Sequence, residues 1–407
     1  MKKVLLITNY FHFLQEKSSN RYRQLSEMLA RESNIDLEVI TSIFYQRTKK
    51  KRENLLDLTA GLSYKVTFIE EPGYKKNIGF SRLRTSKVFA KNTIEYIKKQ
   101  PKPDLIYQVV PTLDVAYNIA YYAKKNNIPF ILDIQDLWPE AFKMALNIPI
   151  VSAVLFYPFL RKANKIYKMA DAVCAVSETY VDRALSVNKK NVQGHSVFIG
   201  IDLDSFDKYS SRKTVDNQHR LKIVYCGSLD KSYDIKLVID ALALLEYPPL
   251  FVVLGDGSLR NEFESYAKIK KVEAEFLGYL PYSEMCEKLC ECDITINPII
   301  GKSVASIINK HGDYAASGLP VINTQNSDEY KNLVETYKMG FNCKSGDACD
   351  VAEKISILVN DPELRKTMGK NARRCAEEKF NRNATYKELI CTIQSFLEKA
   401  HDNGDNN

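Results

Sequence analysis

A cation and a carboxylate three residues apart, Lys310 and Asp313, stand in the segment 303–322, which reads as a helix with a hard stop. Gly318 sits where a left-handed cap residue belongs, Pro320 forbids continuation, and Val321-Ile322 opens a strand. At helical spacing Ser306, Lys310, Asp313 and Ser317 share one face. The charged pair alone can be a surface contact worth a few tenths of a kcal/mol. With two hydroxyls beside it and the free N–H groups of a helix start, the same face suits a ligand carrying phosphates and a diol. A second group is Asp133-Ile-Gln-Asp136-Leu-Trp138-Pro139-Glu140, which follows an apolar run and holds the sole tryptophan. Its plain reading is a loop acid capping the next helix, with Trp138 filling a core. Two glycine turns, Gly227-Ser228 and Gly255-Asp256-Gly257, also end apolar runs. Neither is a G-x-G-x-x-G or a P-loop, so neither points to NAD or ATP. Cys286, Cys290 and Cys292 cluster without a nearby histidine, and His12, His195, His219, His311 and His401 have no ligand spacing. No metal site is expected.

The elements that must position these groups alternate. Strand candidates fall at 3–8, 36–42, 64–70, 104–110, 129–134, 172–177 and 197–200. A second series runs 221–227, 250–255, 274–280, 293–298, 320–324 and 340–344. Helix-length segments separate them, which predicts parallel sheets covered by helices. The polar stretch 207–220 divides the series. The expected organisation is an α/β chain of two Rossmann-like domains: 1–206, a linker at 207–220, and 221–382. A last helix at 383–400 returns to the first domain, and 401–407 forms a disordered tail. Open parallel sheets take ligands at the carboxyl ends of their strands, so two facing domains would share a deep cleft.

At 407 residues, 45% hydrophobic and 27% charged, the composition is that of a globular enzyme. Charge is uneven. Residues 1–205 carry 31 Lys+Arg against 20 Asp+Glu, a net +11, leaving the remainder at −3 of the total +8. A basic half favours an anionic partner, and no nucleic-acid motif accompanies it. Lys49-Lys-Lys-Arg52, read as a loop, and the basic segment 150–170 are candidates for an anionic membrane surface, at roughly 1 kcal/mol per charge. For 150–170, packing on the domain edge is an equal alternative. Nine scattered cysteines argue for reduced thiols and a cytoplasmic setting. Val4–Ile7 is too short for a signal-peptide core, and Pro149 and Pro158 interrupt the longest apolar run, so no transmembrane segment is expected.

Lys310-x-x-Asp313-Tyr-Ala-Ala-Ser-Gly318-x-Pro320-Val-Ile resembles the signature K-x-x-E-Y-x-A-x-G-x-P-V-I of family 4 retaining glycosyltransferases. These have the two-domain GT-B fold, and the likeness is greatest to the branch that builds bacterial surface polysaccharides. The resemblance implies that Asp313, one methylene shorter than the family's glutamate, grips the ribose of a sugar nucleotide. Ala305 stands where the family often has a second Glu near the donor sugar. Gly227-Ser228-Leu-Asp-Lys231 is similar to the family's diphosphate loop, with Ser228 in place of an arginine. Lys231 and Lys310 would then stabilise the leaving diphosphate, aided by the N–H groups of Gly227 and Ser228. Gly255-Asp-Gly-Ser-Leu-Arg260 resembles G-D-G-P-x-R. Phe276-Leu-Gly278-Tyr279-Leu-Pro281 resembles the element whose backbone holds the base. Ser306 would lie on the donor face. The block around Asp136 resembles D-x-W-P-E at the catalytic cleft. Asp136 would face the acceptor or the transferred sugar, Trp138 would stack on a sugar ring, and Glu140 would join the acceptor side. Arg21 matches a family position near the phosphates or acceptor; its plain reading is an exposed arginine at a helix start. The family's glycine-rich first loop is missing, since no glycine precedes Gly61. Phe198-Ile-Gly200-Ile-Asp202-x-x-x-Phe206 resembles the family's exit to the hinge.

The implied activity is retaining, metal-independent transfer of a hexose or amino-hexose from a nucleotide-diphosphate sugar, a UDP-sugar being favoured. The acceptor hydroxyl would belong to a glycan or polyprenyl-diphosphate-linked intermediate of capsule, O-antigen or exopolysaccharide synthesis. No cofactor is expected, and the setting would be cytoplasmic or peripheral on the inner face of the cell membrane. A non-catalytic nucleotide-sugar-binding subunit would account for Ala305 and the missing glycines. A sugar-nucleotide epimerase on the same fold would need histidines in the cleft, and these are ill placed.

Overall fold

The computed structural model describes residues 1–16, 21–76, 79–140, 149–211, 220–300 and 307–402. The chain forms two compact units, one of residues 1–197 with 386–407 and the other of 198–385.

In the first unit the strands are β1 (Lys2–Ile7), β2 (Ile35–Ser42), β3 (Phe44–Tyr45), β4 (Lys50–Lys51), β5 (Lys65–Ile69), β6 (Leu105–Val110), β7 (Phe130–Ile134), β8 (Ala172–Ala175) and β9 (Gln193–Ser196). Seven of them make a parallel sheet in the order β5-β2-β1-β6-β7-β8-β9. Each residue of β6, β7 and β8 is buried, which is why these strands read as apolar runs broken only by Gln108 and Asp133. One face packs Val4, Leu6, Leu37, Tyr107 and Ile131 against Leu25 and Leu29 of the helix Arg21–Leu29. Tyr386, Leu389, Ile390, Ile393 and Leu397 of the helix Arg382–Asp402 join that core. β3 and β4 form a separate antiparallel hairpin.

The second unit holds β10 (Lys222–Cys226), β11 (Leu250–Leu254), β12 (Ala274–Gly278), β13 (Ile294–Asn297), β14 (Val321–Asn323) and β15 (Gly340–Asn342). They make a parallel sheet in the order β12-β11-β10-β13-β14-β15. Alternation fills both faces: Val224, Val252 and Val321 lie in one core, Ile223, Phe251 and Ile322 in the other. In each sheet the strand order reverses beside the first strand, between β1 and β6 and between β10 and β13. That is where a doubly wound sheet opens a crevice at its carboxyl edge.

Five expectations change. Residues 198–206 belong with the second unit, because Ile201 bridges Asn381 and, with Leu203 and Phe206, fills that unit's core. The start of the expected linker is a helix, Leu203–Ser210, capped by Asp202, and Asp207 is clasped by Arg373 at 2.5 and 2.8 Å; residues 212–219 lie outside the described residues. The strand expected at 197–200 sits earlier, as β9. The basic run at 49–52 is a strand rather than a loop, and its Arg52 is buried, bonded to Glu16 at 2.7 Å and to the carbonyl of Phe11 at 2.6 Å. The last helix continues through Asp402; of the expected tail, 403–407 lie outside the described residues. Among the described residues no helix is long and apolar enough to cross a membrane. In the helix Pro149–Met169, Ala163, Ile166 and Tyr167 are buried and Lys162 pairs with Asp114, so this part packs on its own unit.

Candidate functional site

In the second unit the site forms where β10 and β13 part. The helix Asn309–Ala316 begins there, later than the sequence suggests, because Ile308 is still extended. Ser306 and Ala305 lie outside the described residues. Gly318, with φ 67°, ends the helix region before β14. Gly312 faces Ile201 and Phe380, where an added Cβ would come within 3.0 Å of the Ile201 side chain. Close approach there fixes the helix and aims its polar residues.

Lys310 is 7% exposed, and its Nζ has no hydrogen-bond partner. It lies over the rings of Tyr233 and Tyr225, at 3.8 and 4.2 Å from their centroids. Burial pushes its amine down to about 7. The two ring faces act in the opposite sense, since an aromatic face favours the ammonium. The positive end of the helix dipole adds to the charge here. The result is a caged cation that no side chain hydrogen-bonds, with Asp230 acting on it from beyond hydrogen-bond reach. Gly227, at φ 149°, makes room for the cage: an added Cβ would stand 2.7 Å from Lys310 Nζ and 2.9 Å from Tyr225 Oη. The Tyr225 hydroxyl donates to the Ser228 carbonyl at 2.7 Å, tying the loop down.

Asp313 is half-buried. Its Oδ1 accepts from the Tyr282 hydroxyl at 2.8 Å. Burial pushes its carboxyl up to about 6, opposed by that hydrogen bond and by Arg382. Lys310 and Asp313 make no ion pair with each other, so the one-turn spacing does not serve as a surface contact.

Several expected donor contacts take other roles. The Gly227 N–H donates to the Leu254 carbonyl at 2.9 Å, so it is spent inside the sheet and not offered to a phosphate. The Ser228 hydroxyl donates to Asp230 at 2.8 Å. At Gly255, φ 145°, an added Cβ would sit 1.8 Å from the Gly227 carbonyl oxygen, so this glycine serves loop-on-loop packing. The Gly278 carbonyl oxygen accepts from the Gly255 N–H at 2.8 Å. Tyr279 and Lys231 are exposed.

In the first unit Arg21 is a correction. It is 1% exposed and pairs through Nε with Asp133 at 3.2 Å, while Asp133 also accepts from Tyr107 at 2.7 Å. Its spacing with Leu25 and Leu29 places it on the helix's buried stripe, so it reaches no ligand and is not an exposed helix-start residue either. Glu140 accepts from Arg183 Nε at 2.7 Å, and Arg183 also binds Asn164. Trp138 carries the Arg82 guanidinium over one ring face at 4.6 Å, so that face is taken. Asp136 keeps an open surface, yet the protein around it pushes its carboxyl up to about 6 against the pull of Arg82.

The sequence reading missed Tyr225, Tyr233 and Tyr282 around the donor face, and Tyr10, Glu71 and Arg82 near Trp138. Tyr225, Tyr10 and Glu71 all stand at carboxyl ends of strands, the one signal that could have raised them. Among the described residues no group of three His, Cys, Asp or Glu could hold a metal ion.

Residues 207–375 match the family described as Glycosyl transferases group 1. Three relatives are similar in sequence. The capsular polysaccharide biosynthesis glycosyltransferase CapM of Staphylococcus aureus is 35% identical over 82 residues, 20% of this chain and 21% of that one. The Campylobacter jejuni enzyme named GalNAc-alpha-(1->4)-GalNAc-alpha-(1->3)-diNAcBac-PP-undecaprenol alpha-1,4-N-acetyl-D-galactosaminyltransferase is 25% identical over 166 residues, 38% and 43% of the two chains. An uncharacterized glycosyltransferase of Methanocaldococcus jannaschii is 22% identical over 180 residues, 44% of this chain and 48% of its own, so the match spans about half of that relative. Two solved structures share the fold. Sucrose-phosphate synthase from Thermosynechococcus elongatus superposes with TM-score 0.72 at 17% identity, covering 98% of this chain and 100% of that one. HepE of Anabaena, solved in complex with UDP and glucose, gives 0.67 at 15%, covering 97% and 100%. The architecture is the GT-B fold, with two Rossmann-like domains.

Proposed function

We propose that this chain is a retaining, metal-independent glycosyltransferase that moves a hexose or amino-hexose from a nucleotide-diphosphate sugar, a UDP-sugar by preference, to a hydroxyl acceptor. The observation that carries the proposal is the buried Lys310 ammonium, held against two tyrosine rings with no hydrogen-bond partner, three residues before Asp313. A diphosphate supplies the missing charge, and a ribose diol suits the second oxygen of Asp313. In the reaction the bond from the anomeric carbon to the diphosphate oxygen breaks, and a bond from the acceptor oxygen forms on the same face. The departing diphosphate oxygen takes the acceptor proton, while Lys310, with exposed Lys231, neutralises the charge left behind. Asp136 faces the acceptor side. The names of the relatives support a glycan or polyprenyl-diphosphate-linked acceptor in surface-polysaccharide synthesis, and the UDP complexes of HepE support the base. The enzyme would work in the cytoplasm, meeting an anionic membrane through Lys50 and Lys51.

Thermal unfolding with added UDP tests this. A ligand at 100 times its dissociation constant adds about 2.7 kcal/mol, a rise of several degrees in Tm. No shift with UDP, GDP or their sugars would refute the assignment.

A further inference from the structure

The first unit has its own crevice at the point where β1 and β6 part. Asn9 and Tyr10 follow β1, Thr112 follows β6, and Glu71 follows β5. With Tyr74 and Arg82 they line an indentation of about 280 Å³ that opens to solvent, its enclosed part large enough for one water-sized group. Glu71 is 6% exposed. Its Oε1 takes the Ser42 hydroxyl, and its Oε2 is buried with no hydrogen-bond partner. The Ser86 hydroxyl, also on the lining and 7% exposed, has no partner either. Arg82 donates to the Tyr10 hydroxyl at 3.0 Å and lies over Trp138, which joins this lining to the Asp136 loop.

We propose that this indentation reads one hydroxyl-bearing group of a neutral pyranose at the acceptor end, with Glu71 Oε2 as its hydrogen-bonding partner. The inference rests on the transferase reading above. Four features select the ligand. An unpaired buried carboxyl oxygen is costly unless something bonds it, and a hydroxyl can donate to it or accept from it. Burial pushes the Glu71 carboxyl up to about 7, opposed by Ser42 and Arg52, so both forms are present near neutrality. An anionic group would meet this carboxyl at close range. The enclosed space admits a hydroxyl or hydroxymethyl while the ring stays at the mouth, where half-buried Tyr10 offers aromatic surface.

The test uses the full chain saturated with UDP and saturation-transfer NMR. The probes are the methyl glycosides of glucose, galactose and N-acetylglucosamine, their monodeoxy forms, and methyl glucuronoside. At least one neutral glycoside is expected to bind, about tenfold more weakly to Glu71→Ala and with most affinity kept in Glu71→Gln. One deoxy form should bind the wild type as weakly as its parent binds Glu71→Ala, and lose nothing further in that variant. Equal losses in Glu71→Ala for the parents and for every deoxy form, a preference for the glucuronoside, or no neutral binding at all would overturn the proposal. UDP affinity and Tm of Glu71→Gln serve as the folding control. UDP failing to bind the wild type would strike the transferase reading itself; UDP binding without glycoside selectivity strikes only this one.

Discussion

Two side chains with displaced protonation equilibria set how donor affinity should vary with pH. On the proposed function, Lys310 would bind a diphosphate only as the ammonium, and burial pushes its amine down to about 7, so affinity should fall as pH rises through that value. Asp313 would accept from ribose hydroxyls as a carboxylate, and burial pushes its carboxyl up to about 6, so affinity should fall as pH drops below it. UDP titrations from pH 5 to 9 should therefore peak between about 6 and 7. Lys310→Met should remove the alkaline limb and weaken binding by at least about tenfold, the 1.4 kcal/mol of one charge-assisted hydrogen bond. It should leave Tm no lower, because the buried amine has no hydrogen bond to lose. An unchanged profile in the variant would remove Lys310 from the site. Lys310 and Asp313 were readable because their spacing lies within one short segment. The tyrosine cage was not, because Tyr225 and Tyr233 come to Lys310 from another strand and its loop, and residue pattern carries no such distance.

At the scale of elements, the helix Arg21–Leu29 docks on its sheet through an ion pair as well as leucines. Arg21→Ala would leave Asp133 buried without its cation, an expected loss of about 3–5 kcal/mol in denaturant titration. UDP affinity of the folded fraction should not change, since Arg21 belongs to the other unit; a selective loss of UDP binding would restore its expected place near the phosphates. The strands were legible almost throughout, because a doubly covered parallel strand is apolar at most positions, with buried Gln108 and Asp133 as exceptions. The hairpin β3–β4 was not, because two-residue strands leave no periodicity, and Arg52 looked solvated while its partners Glu16 and Phe11 lie 36 and 41 residues away. The start of the helix at Asn309 was misplaced because the segment from Ser303 reads as one helix, whereas Ile308 is still extended.

At the scale of the molecule, the first unit depends on chain made last. Deleting residues 386–407 would strip Tyr386, Leu389, Ile390, Ile393 and Leu397 from its core. At about 1.5–3 kcal/mol per buried side chain, the expected loss matches or exceeds the stability of a typical domain. Limited proteolysis of that truncation should digest residues 1–197 and spare 198–385, which should still bind UDP; a protease-resistant first unit would contradict the core assignment. The division of the chain was legible only as two series of strands, because the placement of 198–206 depends on the Ile201–Asn381 bridge across 180 residues. The same interleaving bears on biosynthesis. A ribosome completes the whole nucleotide-side unit while the earlier-made half still lacks a wall, so that half must wait, partly open and in need of protection from aggregation, until residue 397 has emerged.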